Sequence, residues 1–345
     1  MNLSREESNY INFLKIFLII GVVLTHTTIV VPLPHDYTNI TYNLIYLQQE
    51  VLGEFRVPTF FILSGYFFYK DNTFDIKLYI KKIRSKFKTL IIPYLIWSIL
   101  AIILHIIYDL IKHHYSSLFN FKTLVKSFFF YNGDIIHQFP INGPLWYIRD
   151  LIFIIFILSP IIYKIITYYK ASLILTTSLI IFIILPYLHI PSSLLISGII
   201  WFTIGATISI NNISLSKVLE KFNLIFFIYP IFIIIQILTR NMIIHDCILQ
   251  TTIILGLFCN AKILWYIYKN FIRIKINLNS YVMFLYCSHF ITDYIKPLCS
   301  NLLSQMNLIT LYLIISFCTI LVCSSIYILL YKFNNKILNI LVGNR

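Results

Sequence analysis

Charge is what this chain has least of. Only 13 of its 345 residues are Asp or Glu, and 12% are charged in all, against about 25% in a soluble domain. That shortage excludes a solvated surface around a single core. No stretch alternates polar and apolar residues like a barrel strand, which excludes an outer-membrane barrel. The six cysteines include no C-x-x-C pair, so neither a zinc site nor a redox motif is indicated, and we read them as small buried apolar residues. No glycine-rich phosphate loop and no nucleophile elbow is present, and no internal repeat is visible.

What is there is apolar: 59% hydrophobic residues and a mean hydropathy of +0.83. Runs long enough to span a bilayer predict an all-α integral membrane protein, a bundle of about ten transmembrane helices. The expected spans are 10–31, 52–69, 90–111, 144–163, 171–188, 192–210, 222–238, 247–268, 279–298 and 307–331, the second and sixth being the weakest. The first run is too long for a signal-peptide core and no small-residue cleavage site follows it. The extended polar segments 32–50, 70–89 and 112–143 read as loops, so residues 1–345 read as one domain.

Basic residues set the orientation. With a cytoplasmic N-terminus, 18 of the 27 Lys and Arg face the cytoplasm. The positive-inside bias then puts both termini there. The net charge of +14 follows from topology and inner-leaflet contact. It does not indicate nucleic acid, because no basic stripe with interleaved aromatics lies on a soluble surface.

Polar residues inside the spans carry the functional signal, because a titratable group in lipid is costly. Lys15 and His26 are eleven residues apart. That spacing returns a helix to within about 20° of the same face, roughly 16 Å along its axis. Asn12 shares the face. On the expected topology Lys15 is near the inner leaflet and His26 in the outer half. Arg56, Arg149 and Asp150 also lie in the outer half, His289 lies near the middle, and the basic run Lys81–Lys88 is on the inner side. His289 and Asp293 are i,i+4 neighbours able to share a hydrogen bond. Each has a structural alternative. His26 can be a packing histidine, and Lys15 can snorkel to headgroups. Arg56 and Arg149 can pair with Glu50, Glu54 or Asp150. His289 can be interhelical glue, and Trp146 and Tyr147 can be interfacial belt residues. The Lys81–Lys88 run fits any cytoplasmic loop, and Ser64-Gly65 reads as a small-residue helix contact before a nucleophile.

Several short motifs occur in order. They are Asn12-Phe13-Leu14-Lys15 leading to His26; Phe55-Arg56-Val57-Pro58-Thr59-Phe60-Phe61-Ile62-Leu63-Ser64-Gly65-Tyr66; the basic run before Pro93-Tyr94 and Trp97; and Gly143-Pro144-Leu145-Trp146-Tyr147-Ile148-Arg149-Asp150-Leu151. Trp201-Phe202-Thr203-Ile204-Gly205 and Tyr286-Cys287-Ser288-His289 follow. Over about residues 5–330 this set resembles the acyltransferase 3 family of membrane acyltransferases, in particular its surface-polysaccharide O-acetyltransferase branch. The departures are Asn12 and Lys15, where the family often has Asp and Arg, and Arg84 four residues from Lys88 in place of a clear R-x-x-R.

The resemblance implies a multi-pass protein of the bacterial inner membrane. It implies an acyl-CoA donor, acetyl-CoA foremost, and an acceptor hydroxyl on a surface glycan or its lipid-linked precursor, with no metal. Lys15, Arg84, Lys86 and Lys88 would then meet the donor's phosphates. His26 would deprotonate the acceptor or carry the acyl group. Arg56 and Arg149, with Asp150 and His289 beside them, would steady developing charge. The competing reading is a transporter or flippase of a lipid-linked saccharide, which also needs intramembrane Arg, Lys and His but favours interrupted helices in two related halves.

Overall fold

The computed structural model describes residues 4–28, 44, 47–48, 53–70, 75–133, 138–188, 193–214, 223–240, 242–272, 278–302 and 307–344. Its helices are α1 Arg5–Thr28, α2 Arg56–Phe68, α3 Ile76–Lys86, α4 Ile92–Ile111, α5 Phe121–Ser127, α6 Trp146–Phe153, α7 Ser159–Tyr168, α8 Ala171–Ile184, α9 Ser193–Ile210, α10 Ile225–Leu238, α11 His245–Ile267, α12 Asn279–Ser288, α13 Thr292–Leu302, α14 Leu308–Phe333 and α15 Asn335–Leu341. Single π-helical turns follow α3, α6 and α11 at Phe87–Ile91, Ile154–Leu158 and Tyr268–Ile272. The one extended element among the described residues is a two-residue antiparallel ladder, β1 Asn132–Gly133 with β2 Gln138–Phe139.

The all-helical expectation stands. Among the described residues, six stretches are long and apolar enough to cross a membrane: Arg5–Thr27, Ile76–Ile111, Gly143–Tyr168, Ala171–Leu188, His245–Ile272 and Ile309–Phe333. The other four expected spans are also helical, but each is shorter or broken. At 13 residues, α2 rises about 20 Å, less than the roughly 30 Å of a hydrocarbon core. Leu194–Ile210 and Ile225–Leu238 are short apolar helices. The 279–302 segment breaks into a 3₁₀ turn at His289–Ile291.

The expected loop 70–89 is corrected: α3 is helical and runs through the first π turn into α4. Ile76, Tyr79, Ile80, Ile83 and Phe87 recur at helical spacing, which makes the basic run one face of an amphipathic helix.

Clustering of backbone contacts divides the chain into two compact units, residues 1–74 with 159–278 and residues 75–158 with 279–345. The first holds α1, α2 and α7–α11. A reciprocal capping box starts α1: the Glu7 amide donates to Ser4 Oγ (3.1 Å) and the Ser4 amide to Glu7 Oε2 (3.0 Å), satisfying two N-terminal donors. One apolar cluster joins Tyr10, Ile11, Leu14 and Leu18 of α1 to Leu63 of α2 and to Leu264 and Tyr268. The Tyr10 hydroxyl donates to Ala261 O (2.6 Å).

α2 lies along α9 at backbone distance. A Cβ on Gly65 would overlap the Phe202 carbonyl oxygen, and one on Gly205 would overlap the backbone of Ile62. Only glycine permits so close an approach, as small-residue helix contacts in membranes require. Ser64-Gly65 therefore belongs to a packing contact.

The second unit holds α3–α6 and α12–α15. Its base is closed by α15. Trp97 Nε1 donates to Leu341 O (3.0 Å). Gly343, at φ +70°, meets Thr89 so closely that a side chain there would overlap backbone. Leu338 and Val342 are fully buried. No disulfide forms among the described residues. Cys259, Cys287 and Cys323 are buried as expected, whereas Cys247, Cys299 and Cys318 are half-buried.

Candidate active site

The expected site residues all lie within the described residues, divided between the two units. In the first unit Arg56 is the opening residue of α2, and its side chain, like all Cβ-borne groups on a helix, leans back toward the N-terminal end. That carries the guanidinium onto α1. It donates through one terminal nitrogen to Gly21 O (2.6 Å) and to Thr25 Oγ1 (2.5 Å). Thr25 Oγ1 in turn donates to Gly21 O (3.1 Å). Gly21 is the seat: a Cβ there would collide with Nε, Cζ and Cδ of Arg56. Arg56 is 6% exposed.

His26 follows Thr25 directly and is half-buried. Along α1 the guanidinium contacts therefore lie about 2–8 Å from its level. Unit one thus brings the expected cation and the expected base to one end of α1. Glu50, a partner weighed for Arg56, lies outside the described residues. Lys15 sits lower on α1, half-buried, with its ammonium 5.2 Å from the Phe67 ring centre. This cation–π contact with α2 gives it a fixed position.

Arg149 and Asp150 of α6 form an ion pair in the second unit, Nε to Oδ1 at 2.8 Å. Arg149 also donates to Phe129 O (2.7 Å) and lies against the Phe130 ring, which ties the segment after α5 to α6. Asp150 is 3% exposed, and its second oxygen has no hydrogen-bond partner among the described residues. The ion-pair alternative is thus realised, yet one buried acceptor remains, which is costly unless something donates to it.

His289 is fully buried, with Nδ1 3.1 Å from Leu285 O. A 3₁₀ turn at His289–Ile291 interrupts the α-helix between His289 and Asp293. Asp293 is exposed and has Lys296 and His105 as its electrostatic neighbours. The His289 ring meets Tyr286 at 6.0 Å between centres, and the Tyr286 hydroxyl donates to Pro144 O just before α6. Asp150 is among the electrostatic neighbours of Tyr286. Arg149, Asp150, Tyr286 and His289 are thereby joined around the start of α6. Tyr147 packs on Tyr286 (5.8 Å) and Trp146 on Phe139 (6.4 Å).

Arg84 and Lys86 are on α3, and Lys88 is in the following π turn; Arg84 and Lys88 are exposed and Lys86 half-buried. Arg84 and Lys88 present free-reaching cations, which suits a phosphate-bearing ligand.

Sequence reasoning missed Gly21 and Thr25, and gave Tyr286 no role beyond its place in the motif Tyr286-Cys287-Ser288-His289. Gly21 and Thr25 share a helix face by their i,i+4 spacing and lie next to His26. That is a readable signal once an arginine is known to need acceptors.

The profile of the acyltransferase 3 family, described as an acyltransferase domain, matches residues 8–328. A succinoglycan biosynthesis protein, ExoH of Rhizobium meliloti (strain 1021), is 26% identical over 230 residues, covering 64% of this chain. The chain spans 58% of that protein's length. No solved structure matches. The matched region takes in almost every helix described above, and the chain belongs to the acyltransferase 3 family.

Proposed function

We propose that this chain is a multi-pass O-acyltransferase of the bacterial inner membrane, with about ten spans and both termini in the cytoplasm. It moves an acyl group, acetyl foremost, from cytoplasmic acyl-CoA to a hydroxyl of a surface polysaccharide or its lipid-linked precursor. The observation that carries this reading is the Arg56 guanidinium seated on Gly21 and Thr25, within about a turn of the level of His26, which lies about 100° round α1 from Thr25. A base and a buried cation at one end of a helix suit a reaction that builds negative charge on a carbonyl oxygen. The relative's name, a succinoglycan biosynthesis protein, favours a glycan acceptor.

In this reading the phosphates of the donor are held by Arg84, Lys86 and Lys88, and Lys15 is a further cation for them. His26 takes the proton of the acceptor hydroxyl as its oxygen attacks the thioester carbonyl. The carbon–sulfur bond breaks, and CoA leaves as the thiolate, which recovers the proton. Arg56 faces the charge that develops on the carbonyl oxygen. Asp150, held by Arg149, and His289 serve the acceptor through the buried carboxylate oxygen and the Tyr286 neighbourhood.

Replacing His26 tests the mechanism. His26→Ala is expected to leave normal amounts of surface glycan without its acyl group, a loss of about 10²–10⁴ in rate. His26→Gln keeps hydrogen bonding but takes up no proton near neutral pH, and is expected to behave the same way. NMR of the purified glycan reads both. Full acylation in the Gln variant would show that His26 only packs, and loss of the glycan itself in the Ala variant would point to transport.

A further inference from the structure

One polar residue stands in a strongly apolar helix and has no role in the chemistry above. Gln236 lies near the end of α10, whose sequence is IFFIYPIFIIIQIL. It is 0% exposed. Neither its amide nitrogen nor its amide oxygen has a hydrogen-bond partner among the described residues. A buried amide with both valences unused is a standing cost in water and a larger one in lipid, so it is expected to meet a guest. Polar residues in such a setting mark substrate paths.

Its surroundings indicate the guest. Seven residues separate Gln236 from Tyr229, so both lie on one face of α10, within about 20° and roughly 10 Å apart. Tyr229 shows that this face meets α11. It packs against Gly256 and clusters with Cys259, and its hydroxyl bonds the Asn260 side chain. It also has Arg56 as an electrostatic neighbour, which connects this face to the His26 end of α1. With only a short connection between Leu238 and His245, and contact between them, α10 and α11 form an antiparallel hairpin. Stepping seven residues from the Tyr229–Gly256 contact toward the turn reaches Gln236 on one helix and Leu249 on the other. Beside that level are Thr252, 1% exposed, and Gln250, whose amide oxygen is buried without a partner among the described residues. His245, eleven residues from Gly256 on the same face, has Nδ1 in the same condition.

Buried polar atoms of Gln236, Gln250 and His245 thus lie at one end of one helical hairpin, Gln236 and His245 on the facing sides and Gln250 about 120° round α11 from Gly256. They are amides and an imidazole. Arg240, four residues after Gln236, is half-buried with its Nε enclosed, while Asp246 lies at the exposed start of α11. Amides and an imidazole give and take hydrogen bonds and so fit hydroxyls, to which a single guanidinium can also donate.

We propose that Gln236, with Gln250 and His245, binds hydroxyl groups of the acceptor saccharide and orients it for acyl transfer. The assignment of the guest as acceptor rests on the function proposed above. The binding itself does not require catalysis, and this makes it testable separately.

The experiment uses the full chain in lipid nanodiscs. The probe is an oligosaccharide repeat unit prepared from the host's surface polysaccharide and chemically stripped of acyl groups. Calorimetry measures its binding to the wild type, to Gln236→Leu and to Gln250→Met, and the affinity of each for acetyl-CoA. Gln236→Leu is expected to bind the oligosaccharide at least tenfold more weakly, with acetyl-CoA affinity unchanged and thermal stability equal or higher, since an unpaired amide has been removed. Gln250→Met, which leaves α10 intact, is expected to weaken binding as well. Wild-type protein that does not bind the oligosaccharide, variants that bind it as the wild type does, or an equal loss of acetyl-CoA affinity would overturn the proposal. Wild-type protein that binds the oligosaccharide but transfers no acyl group to it would remove the proposed function and leave this site standing.

Discussion

A single methyl group at position 21 is expected to disable the Arg56 seat. Gly→Ala inside a helix ordinarily stabilises it by about 1 kcal/mol. Here the new Cβ would occupy the space of Nε, Cζ and Cδ of Arg56. The guanidinium must move off α1 and give up its bonds to Gly21 O and Thr25 Oγ1. Bonds to a charged donor contribute about 1.5–3 kcal/mol each. Two of them, less the propensity gain, leave a net loss of about 2–5 kcal/mol. The measurement is a double-mutant cycle on unfolding in detergent, with Gly21→Ala, Arg56→Met and both together. Most of the cost of Gly21→Ala should vanish in the Arg56→Met background, because nothing is left to collide with. Glycan acylation should fall at least tenfold in the single Gly21→Ala variant, although the new residue carries no functional group. An equal cost in both backgrounds, or a Gly21→Ala protein with full stability and full acylation, would refute the seat.

Two further outcomes follow from the other contacts. Replacing Arg84 and Lys88 together by Gln should weaken acetyl-CoA binding at least tenfold without lowering the amount of protein in the membrane, and unchanged affinity in membrane preparations would remove this donor site. Gly205→Val should destabilise the first unit by about 1–3 kcal/mol through overpacking against Ile62, read as a lower midpoint of thermal unfolding, whereas a wild-type midpoint would show that α2 and α9 do not meet this closely.

The positions of the helices were largely legible, because apolar runs long enough to span are hard to hide. Their continuity was not. The Lys81–Lys88 run looked like a loop because charge was weighed before the spacing of Ile76, Tyr79, Ile80, Ile83 and Phe87, which describes a helix. Ser4 and Glu7 displayed a capping box that a search for apolar runs passes over. The 3₁₀ break at His289–Ile291 depends on tertiary packing and is not foretold by the i,i+4 spacing of His289 and Asp293. Within the candidate site, His26, Arg56, Arg149 and Asp150 stood out as polar residues in apolar runs. Their acceptors did not: Gly21 O and Phe129 O are backbone atoms, and no residue type reveals a backbone oxygen. Gln236 escaped notice because an amide carries no charge to raise suspicion.

The π turn at Phe87–Ile91 has a consequence for how this chain tolerates change in length. A π turn accommodates one residue more than the α-helix would hold, and such bulges concentrate at functional positions. Losing a single residue between 87 and 91 would let α3 and α4 merge into one regular helix. Because the π turn already absorbs that extra residue, the merged helix would keep the basic face of α3 close to its present side, with Trp97 still bonded to Leu341. A one-residue deletion within the regular turns of α3 has no such slack: it would rotate the residues before it by about 100°. The chain is thus built to lose a residue at 87–91 far more readily than a few positions earlier.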